Sequence, residues 1–173
     1  MLAEEGDRLY ALALRVTRDG DLAADAVHDA FAAALEGLGE FRGEARLSTW
    51  LYRIVYRKAI DLLRRRGREQ PLEEADEAAL AAEDGGGRAA AWARPPDELL
   101  LGAESRQALE RALQELSPQQ RAVFELREVE QRPTEEVAEV LGIPAGTVRV
   151  YLHRARLKLR ERLSPHFRGG RTR

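Results

Sequence analysis

Cysteine is absent from all 173 residues, which excludes disulfides, thiolate metal sites and cysteine nucleophiles. Histidine occurs only at His28, His153 and His166, too scattered for a metal cluster, and no cofactor is expected. No apolar run approaches the roughly 20 residues that span a bilayer. The first ten residues, MLAEEGDRLY, are acidic where a signal peptide is basic and then apolar, so the chain is expected to stay in the cytoplasm. Strand formers are also scarce, since the apolar residues are mostly Ala and Leu, which favour helices. What is present is 44% hydrophobic and 34% charged residues, a balance that suits an all-α protein with small cores and a large solvated surface rather than a disordered chain.

The net charge of −2 hides a segregation along the chain. Residues 1–68 hold 12 Lys/Arg against 11 Asp/Glu, residues 69–98 hold 2 against 9, and residues 99–173 hold 14 against 10. The middle block also contains Gly85-Gly86-Gly87 and Pro95-Pro96, which break helices and mark a flexible acidic linker. Two small helical domains, 1–68 and 99–165, are therefore expected on either side of it, with a basic tail over 166–173.

In the first block Leu9, Leu12 and Val16 recur at helical spacing. After the Asp19-Gly20-Asp21 break, Val27, Phe31, Ala34, Leu35 and Leu38 do the same. A polar loop, FRGEARLS, then leads to Ser48 as N-cap and to a helix whose expected apolar face is Leu51, Ile54, Val55 and Leu62. Arg64-Arg65-Arg66 closes that helix with charge that suits its C-terminal dipole end.

In the second block Leu100, Leu109, Leu113 and Leu116 line one helix. Ser117-Pro118-Gln119-Gln120 begins the next with a serine cap, a proline at the first helical position and a glutamine placed for a capping box. That helix is expected to last to about Glu130. A third starts at Thr134 as cap and stops at Gly142, and a last one runs from about Ala145 to Leu163.

Two constellations carry function. The first is PTEEVAEVLGIPAGTVRVYLHRARLKL, a short helix, a Gly-Ile-Pro turn and a longer basic helix at helix-turn-helix spacing. On a helical wheel Val148, Leu152, Ala155 and Leu159 form a stripe that packs on Val137 and Leu141. Arg149, Val150, His153, Arg154 and Leu157 then point outward. Cations mixed with small apolar groups suit the major groove of duplex DNA, where guanidinium binds guanine and an apolar group meets the thymine methyl. Val150 is expected at base edges and Tyr151 at the flanking phosphates. From Arg149 to Arg173 there are 9 Lys/Arg and one acid, Glu161, which supplies phosphate attraction; a solvated basic helix ending a bundle is the bland alternative.

The second constellation runs from Arg42 to Arg68, with 9 Lys/Arg against Glu44 and Asp61 and with Trp50, Tyr52 and Tyr56 interleaved. Single-stranded nucleic acid asks for this combination, because bases stack on rings while cations follow the backbone. Trp50 adjoins the core stripe and reads as a packing residue rather than a base platform. Tyr52 and Tyr56, four residues apart and sharing a face with Arg53, are the expected exposed contacts.

With these residues in view, the chain resembles the bacterial sigma factors of the sigma-70 family, in the extracytoplasmic-function (ECF) group that keeps only regions 2 and 4. DLAADAVHDAFAAAL is similar to the region 2 helix that docks on the clamp helices of the RNA polymerase largest subunit. FRGEARLSTWLYRIVYRKAIDLLRRR is similar to the segment that opens the −10 element, and LSPQQRAVFELREVEQRPTEEVAEVLGIPAGTVRVYLHRARLKL to region 4, which reads the −35 element. The resemblance implies polymerase docking by Asp25, His28 and Asp29, with His28 standing where the family more often has glutamine. It implies capture of a flipped base by the loop from Phe41 to Ser48, which includes Arg42 and Arg46. Backbone binding falls to Lys58 and to Arg64, Arg65 and Arg66, with Arg53 and Arg57 on the same segment. In the recognition helix Thr147, Arg149, His153, Arg154 and Arg156 match, Lys158 extends the basic face, and Val150 and Tyr151 depart from a common Ser-Arg pair.

The resemblance further implies core RNA polymerase and promoter DNA as partners, and an anti-sigma factor of the kind that many members bind. It also gives the acidic linker a counterpart that threads polymerase channels, although a solvated tether fits its composition equally well. A stand-alone helix-turn-helix regulator is the alternative, and it has no need for a docking helix and a basic aromatic segment. An enzyme acting on nucleic acid is disfavoured, because no carboxylate cluster or nucleophile with a neighbouring base is visible.

Overall fold

Leu9, Leu12, Ala13 and Val16 fall on one stripe and are buried, and they make Leu2–Thr17 the first core helix, α1. The computed structural model describes residues 2–40, 43, 46–67 and 102–168, and these contain seven α-helices and no strand. Phe41 and Arg42, the acidic linker 69–98, Leu100 and the last five residues lie outside the described residues.

A sharp corner follows α1. Arg18 takes a left-handed conformation (φ 58°), and the Asp19 carboxylate accepts from the Asp21 and Leu22 amides, both at 3.1 Å, to cap α2 (Gly20–Gly37). The buried face of α2 is Leu22, Ala23, Ala26, Ala30 and Ala34, which lets its backbone pack closely on α1 and α3. The expected stripe of Phe31, Leu35 and Leu38 is displaced: all three are exposed, Leu35 to 76%. Apolar residues surround most of this helix, and the alanine face wins because small side chains permit the closer approach.

Helix α3 spans Leu47–Arg65. Its N-cap is Arg46, in extended conformation and without a side-chain cap, so Ser48 is the second helical residue rather than the cap. Its buried face is Tyr52, Val55, Tyr56, Ala59, Ile60 and Leu63, while Leu51, Ile54 and Leu62 are half-buried at its flank. The face is rotated from the expected one because the two tyrosine rings, larger than Leu51 or Ile54, go inward. Arg66 closes the far end on Asp19 at 3.3 Å.

In the second half, α4 (Gly102–Gln114) buries Ala108, Ala112 and Leu113. Helix α5 (Pro118–Phe124) opens with the expected capping box: the Ser117 hydroxyl accepts from the Gln120 amide at 3.2 Å and the Gln120 carbonyl oxygen from the Ser117 amide at 3.4 Å. It continues as one wide turn over Glu125–Val129, in which the Glu130 amide reaches back five residues to the Glu125 carbonyl at 2.9 Å. Helix α6 (Thr134–Leu141) takes Pro133 as N-cap, so Thr134 is its first residue and supplies no cap. The ring fixes Pro133 at φ −59° with extended ψ, which positions it for that place. Gly142 ends α6 in the left-handed region (φ 70°, ψ 35°), where a Cβ is strained. Helix α7 runs Ala145–Arg168, five residues beyond the expected Leu163.

Two cores result. One holds Phe124, Ala108, Ala112, Leu113, Leu116 and the later α7 stripe Ala155, Leu159 and Leu163. The other is continuous from α1, α2 and α3 into Ala122, Val123, Leu126, Val137, Val140 and the start of α7. The two halves of the chain therefore share a core, with α1 packed on α5 and α3 packed on α6. Apolar surface on α3 and α6 that separate domains would leave in water is removed from it here.

The capping box supplies a test of how α5 is held. Ser117→Ala should lower unfolding free energy by about 1 kcal/mol, whereas Ser117→Gly should cost only a few tenths. Urea denaturation read by circular dichroism measures both; equal losses would show that the Ser117 hydroxyl contributes nothing as a cap.

Candidate nucleic-acid and polymerase interfaces

Helix α6, the Gly142 turn and α7 form a helix-turn-helix, with Val148, Leu152, Ala155 and Leu159 buried as the wheel expected. Arg149, His153 and Leu157 are exposed, and Arg154, Arg156 and Lys158 are half-buried. Arg156 is engaged by Glu128 at 2.5 Å, and the Lys158 ammonium lies 3.5 Å from the Gln120 carbonyl oxygen. Against expectation, Val150 is only 4% and Tyr151 only 3% exposed, and Thr147 is buried with them. Val150 lies about 200° around the helix from Val148 at 100° per residue, so the stripe on α7 does not account for its burial. The first two turns of α7 are covered on more than one side, and Tyr151 belongs to the core shared by both halves.

The basic aromatic segment divides in the same way. Arg46, Arg57, Arg64, Arg65 and Arg66 are exposed, and Ser48, Arg53 and Lys58 are half-buried. Tyr52 and Tyr56, expected outside, are buried. The Arg132 guanidinium stacks on the Tyr52 ring, 3.7 Å from its centroid, and Arg132 is itself held by Glu130 at 2.8 Å and by Glu136. Burial, and then the neighbouring Glu130 carboxylate, raise the Tyr52 pKa and keep its hydroxyl protonated. Burial opposes the Arg132 cation, but Glu130 and Tyr52 outweigh it and raise its pKa. Trp50 is half-buried and lies against Gly37, where a Cβ would stand 3.4 Å from the ring; this is the packing role that its place beside the core indicated.

On the outer face of α2, Asp25, His28 and Asp29 are all exposed. Phe31 and Leu35, read from sequence as core, join them on the outside and add an apolar stripe to an acidic face. A face of this kind suits a protein partner rather than DNA, because it offers carboxylates and exposed apolar area but no Lys or Arg.

Residues that the sequence reading missed lie between the halves. Arg121 on α5 is buried and donates to the Arg15 carbonyl (2.8 Å), the Val16 carbonyl (2.9 Å) and the Leu116 carbonyl. Arg15 pairs with Glu125 at 3.0 Å and with Glu110 at 3.5 Å, and Arg18 donates to the Gln114 carbonyl at 3.1 Å. On α3, the Thr49 hydroxyl donates to Glu136 at 3.1 Å. Burial, helped by Arg18 and Arg15, pushes the Arg121 pKa down to about 10. Burial also raises the Glu125 pKa, and Arg15 offsets this only in part. A groove of about 390 Å³ between α1 and α4 opens beside this cluster, lined by Leu14, Arg18, Leu113 and Gln114 among others.

The comparisons with known proteins agree with this geometry. Residues 1–69 match the family model for sigma-70 region 2, and residues 106–159 match that for sigma-70 region 4. The ECF RNA polymerase sigma-E factor of Escherichia coli is 34% identical over 162 residues, spanning 93% of this chain and 83% of that protein. The RNA polymerase sigma-H factor of Pseudomonas aeruginosa is 33% identical over 165 residues with the same coverage. Among solved structures, the sigma factor RpoE in complex with the anti-sigma factor NepR from Bartonella quintana aligns with TM-score 0.67 and 26% identity over 94% of both chains. CnrH, solved with the cytosolic domain of CnrY, aligns with TM-score 0.60 and 26% identity over 95% of this chain and 85% of that one.

The chain belongs to the sigma-70 family of RNA polymerase sigma factors, in its ECF group. It is a transcription initiation factor with DNA-binding region 4, and among its described residues no helix is long and apolar enough to cross a membrane.

Glu125 gives the boundary between the halves a pH signature. Its folded pKa is raised above the ordinary value of 4.5, so the folded chain keeps a proton that the unfolded chain has released. The stability it confers is full below about pH 4.5 and is lost as pH rises through the folded pKa. Glu125→Gln, which stays neutral, escapes that loss, so its stability relative to wild type should rise from pH 4.5 towards neutrality. Urea midpoints across this range provide the check, and a difference that does not vary with pH would show Glu125 to titrate normally.

Proposed function

We propose that this sigma factor docks on the largest-subunit clamp helices of core polymerase through Asp25, His28 and Asp29 on α2, with Phe31 and Leu35 completing the contact. The helix-turn-helix of α6 and α7 reads the −35 element through Arg149, His153 and Arg154, and α3 with its preceding loop engages the −10 element. The observation that carries the reading is the pairing of an acidic, apolar-striped α2 face with a basic face on α7, one suited to protein and the other to DNA. Residues 1–68 then form the polymerase and −10 unit, 69–98 the linker, 99–165 the −35 unit and 166–173 a basic tail. The protein works in the cytoplasm without catalysis of its own, and an anti-sigma factor is its proposed regulator. The complex of the similar sigma factor RpoE with the anti-sigma factor NepR supports that partner. A stand-alone regulator would leave the α2 face without a use.

Reversing one exposed charge costs no more than about 0.5 kcal/mol of stability. Asp25→Arg and Asp29→Arg should therefore fold normally and bind core polymerase at least several-fold more weakly. Fluorescence titration of labelled sigma factor with core enzyme reads this directly; unchanged affinity in both variants removes docking from α2. Arg149→Ala and Arg154→Ala should each weaken duplex binding and flatten the slope of log K against log salt by about 0.9 where a phosphate contact is lost. If affinity and slope both stay at the wild-type values in both variants, α7 is not the DNA-reading helix.

A further inference from the structure

The groove of about 390 Å³ between α1 and α4 is lined by no residue of α2 or α7, so it lies apart from both proposed interfaces. Its volume falls within the range of small-molecule sites, about 300 to 1,000 Å³. The lining divides into two chemistries. One part is cationic: Arg15, Arg18 and Arg121 all border the groove, and among the described residues the carboxylate that borders it is that of Glu110. The other part is apolar and consists of Ala11 and Leu14 from α1 and Leu113 from α4. Leu14 keeps 40% of its surface in water.

The three cations are not equally occupied. Arg121 spends its N–H groups on the Arg15, Val16 and Leu116 carbonyls. Arg15 holds Glu125 through Nε at 3.0 Å, and its Nη1 stands 3.5 Å from the exposed Glu110 carboxylate. Arg18 is exposed, and among the described residues its hydrogen bonding is confined to Nη1, which donates to the Gln114 carbonyl at 3.1 Å. The Nε–Nη2 edge of Arg18 is thereby left over, and its two parallel N–H groups match the two oxygens of a carboxylate. Positive charge is also in excess here. After burial, it is the neighbouring Arg18 and Arg15 cations that hold the Arg121 pKa down, a repulsion that an anion in the groove relieves and a neutral molecule does not. We propose that the groove binds a small amphipathic carboxylate, its head held by the Nε–Nη2 edge of Arg18 beside Arg15 and its apolar body laid over Leu14, Ala11 and Leu113. A bare inorganic anion would match the cations but leave the apolar wall in water, and an apolar molecule would do the reverse. Glu110 is the ligand's competitor, because its carboxylate already lies beside Arg15.

Octanoate serves as the probe, with octanamide as its neutral counterpart and acetate as the head without the body. Each is titrated into the full chain at neutral pH, where octanoate is ionised, and at constant ionic strength. Calorimetry reads affinity, and the NMR shifts of the leucine methyl groups read location. Octanoate should bind with sub-millimolar affinity and shift Leu14 and Leu113, whereas octanamide and acetate should each bind about tenfold more weakly or worse. Arg18→Gln, at an exposed position, should weaken octanoate about tenfold, the loss expected for a charge-assisted pair. Glu110→Gln removes the competing carboxylate, also at an exposed position, and should tighten octanoate several-fold. Because this variant gains binding, damage to the fold cannot imitate it. Absence of octanoate binding at millimolar concentration, or an affinity unchanged in both variants, would overturn the site. Equal binding of octanamide or of acetate would overturn the amphipathic carboxylate as its ligand. Binding lost in Leu35→Ser but kept in Arg18→Gln would place the probe on the exposed stripe of α2 and overturn the groove as well.

Discussion

A buried guanidinium must find acceptors for its N–H groups, and Arg121 finds two of its three on the other half of the chain. This constraint orders much of the interface. With Arg121 fixed on the Arg15 and Val16 carbonyls, the end of α1 is held against α5, and the Arg15 side chain is placed to meet Glu125, 110 residues away in sequence. The carbonyls at the helix terminus supply its negative potential, and its lowered pKa reflects burial first and then the neighbouring Arg18 and Arg15 cations. Removing a partner from such a group leaves buried charge uncompensated, which makes the contact directional as well as stabilising.

Much of the fold was legible because it rests on local chemistry. The α1 stripe, the Ser117 capping box, the Gly142 stop and the Val148–Leu159 stripe are each decided within one or two helical turns, and periodicity and cap residues report such decisions directly. Helix α2 was misread for a definable reason. Apolar residues ring most of it, so periodicity selects the large ones, Phe31, Leu35 and Leu38, whereas packing against α1 and α3 selects alanines that allow close approach. The turn at Glu125–Val129 carried no signal of its wider hydrogen bonding.

The candidate sites were legible to a different degree. Arg149 and His153 emerge as a wheel drawn on α7 alone requires. Val150 and Tyr151 do not, because a wheel places a residue relative to its own helix and knows nothing of what covers the opposite side. Tyr52 fails for a related reason: an aromatic ring beside cations suits both a base platform and a stacked arginine, and the arginine that decides it, Arg132, stands 80 residues further along. Nothing in the sequence sets Arg15, Arg18, Arg121 and Glu125 apart from the other charged residues on the helices. Their roles exist only once α1 and α5 are adjacent.

The interface between the halves joins an apolar layer to groups that water can also satisfy. On separation, Arg121, Arg18 and the α1 and α4 carbonyls would trade protein hydrogen bonds for water, an exchange in which each bond nets only about 0.5 to 1.5 kcal/mol, more where the donor is charged. The apolar layer, in contrast, loses free energy in proportion to the area exposed, at about 25 cal/mol per Å². Closure therefore draws its strength from the apolar layer and its geometry from the arginines. A partner that covers the same apolar area can replace the first contribution while leaving the polar groups to solvent. The exposed stripe of Phe31 and Leu35 on α2 lies outside that apolar layer. The α2 stripe therefore stays in water together with Arg149 and His153 on α7, whereas the apolar surfaces of α3 and α6 are removed from it, so what the fold leaves exposed is an acidic, apolar-striped face and a basic one.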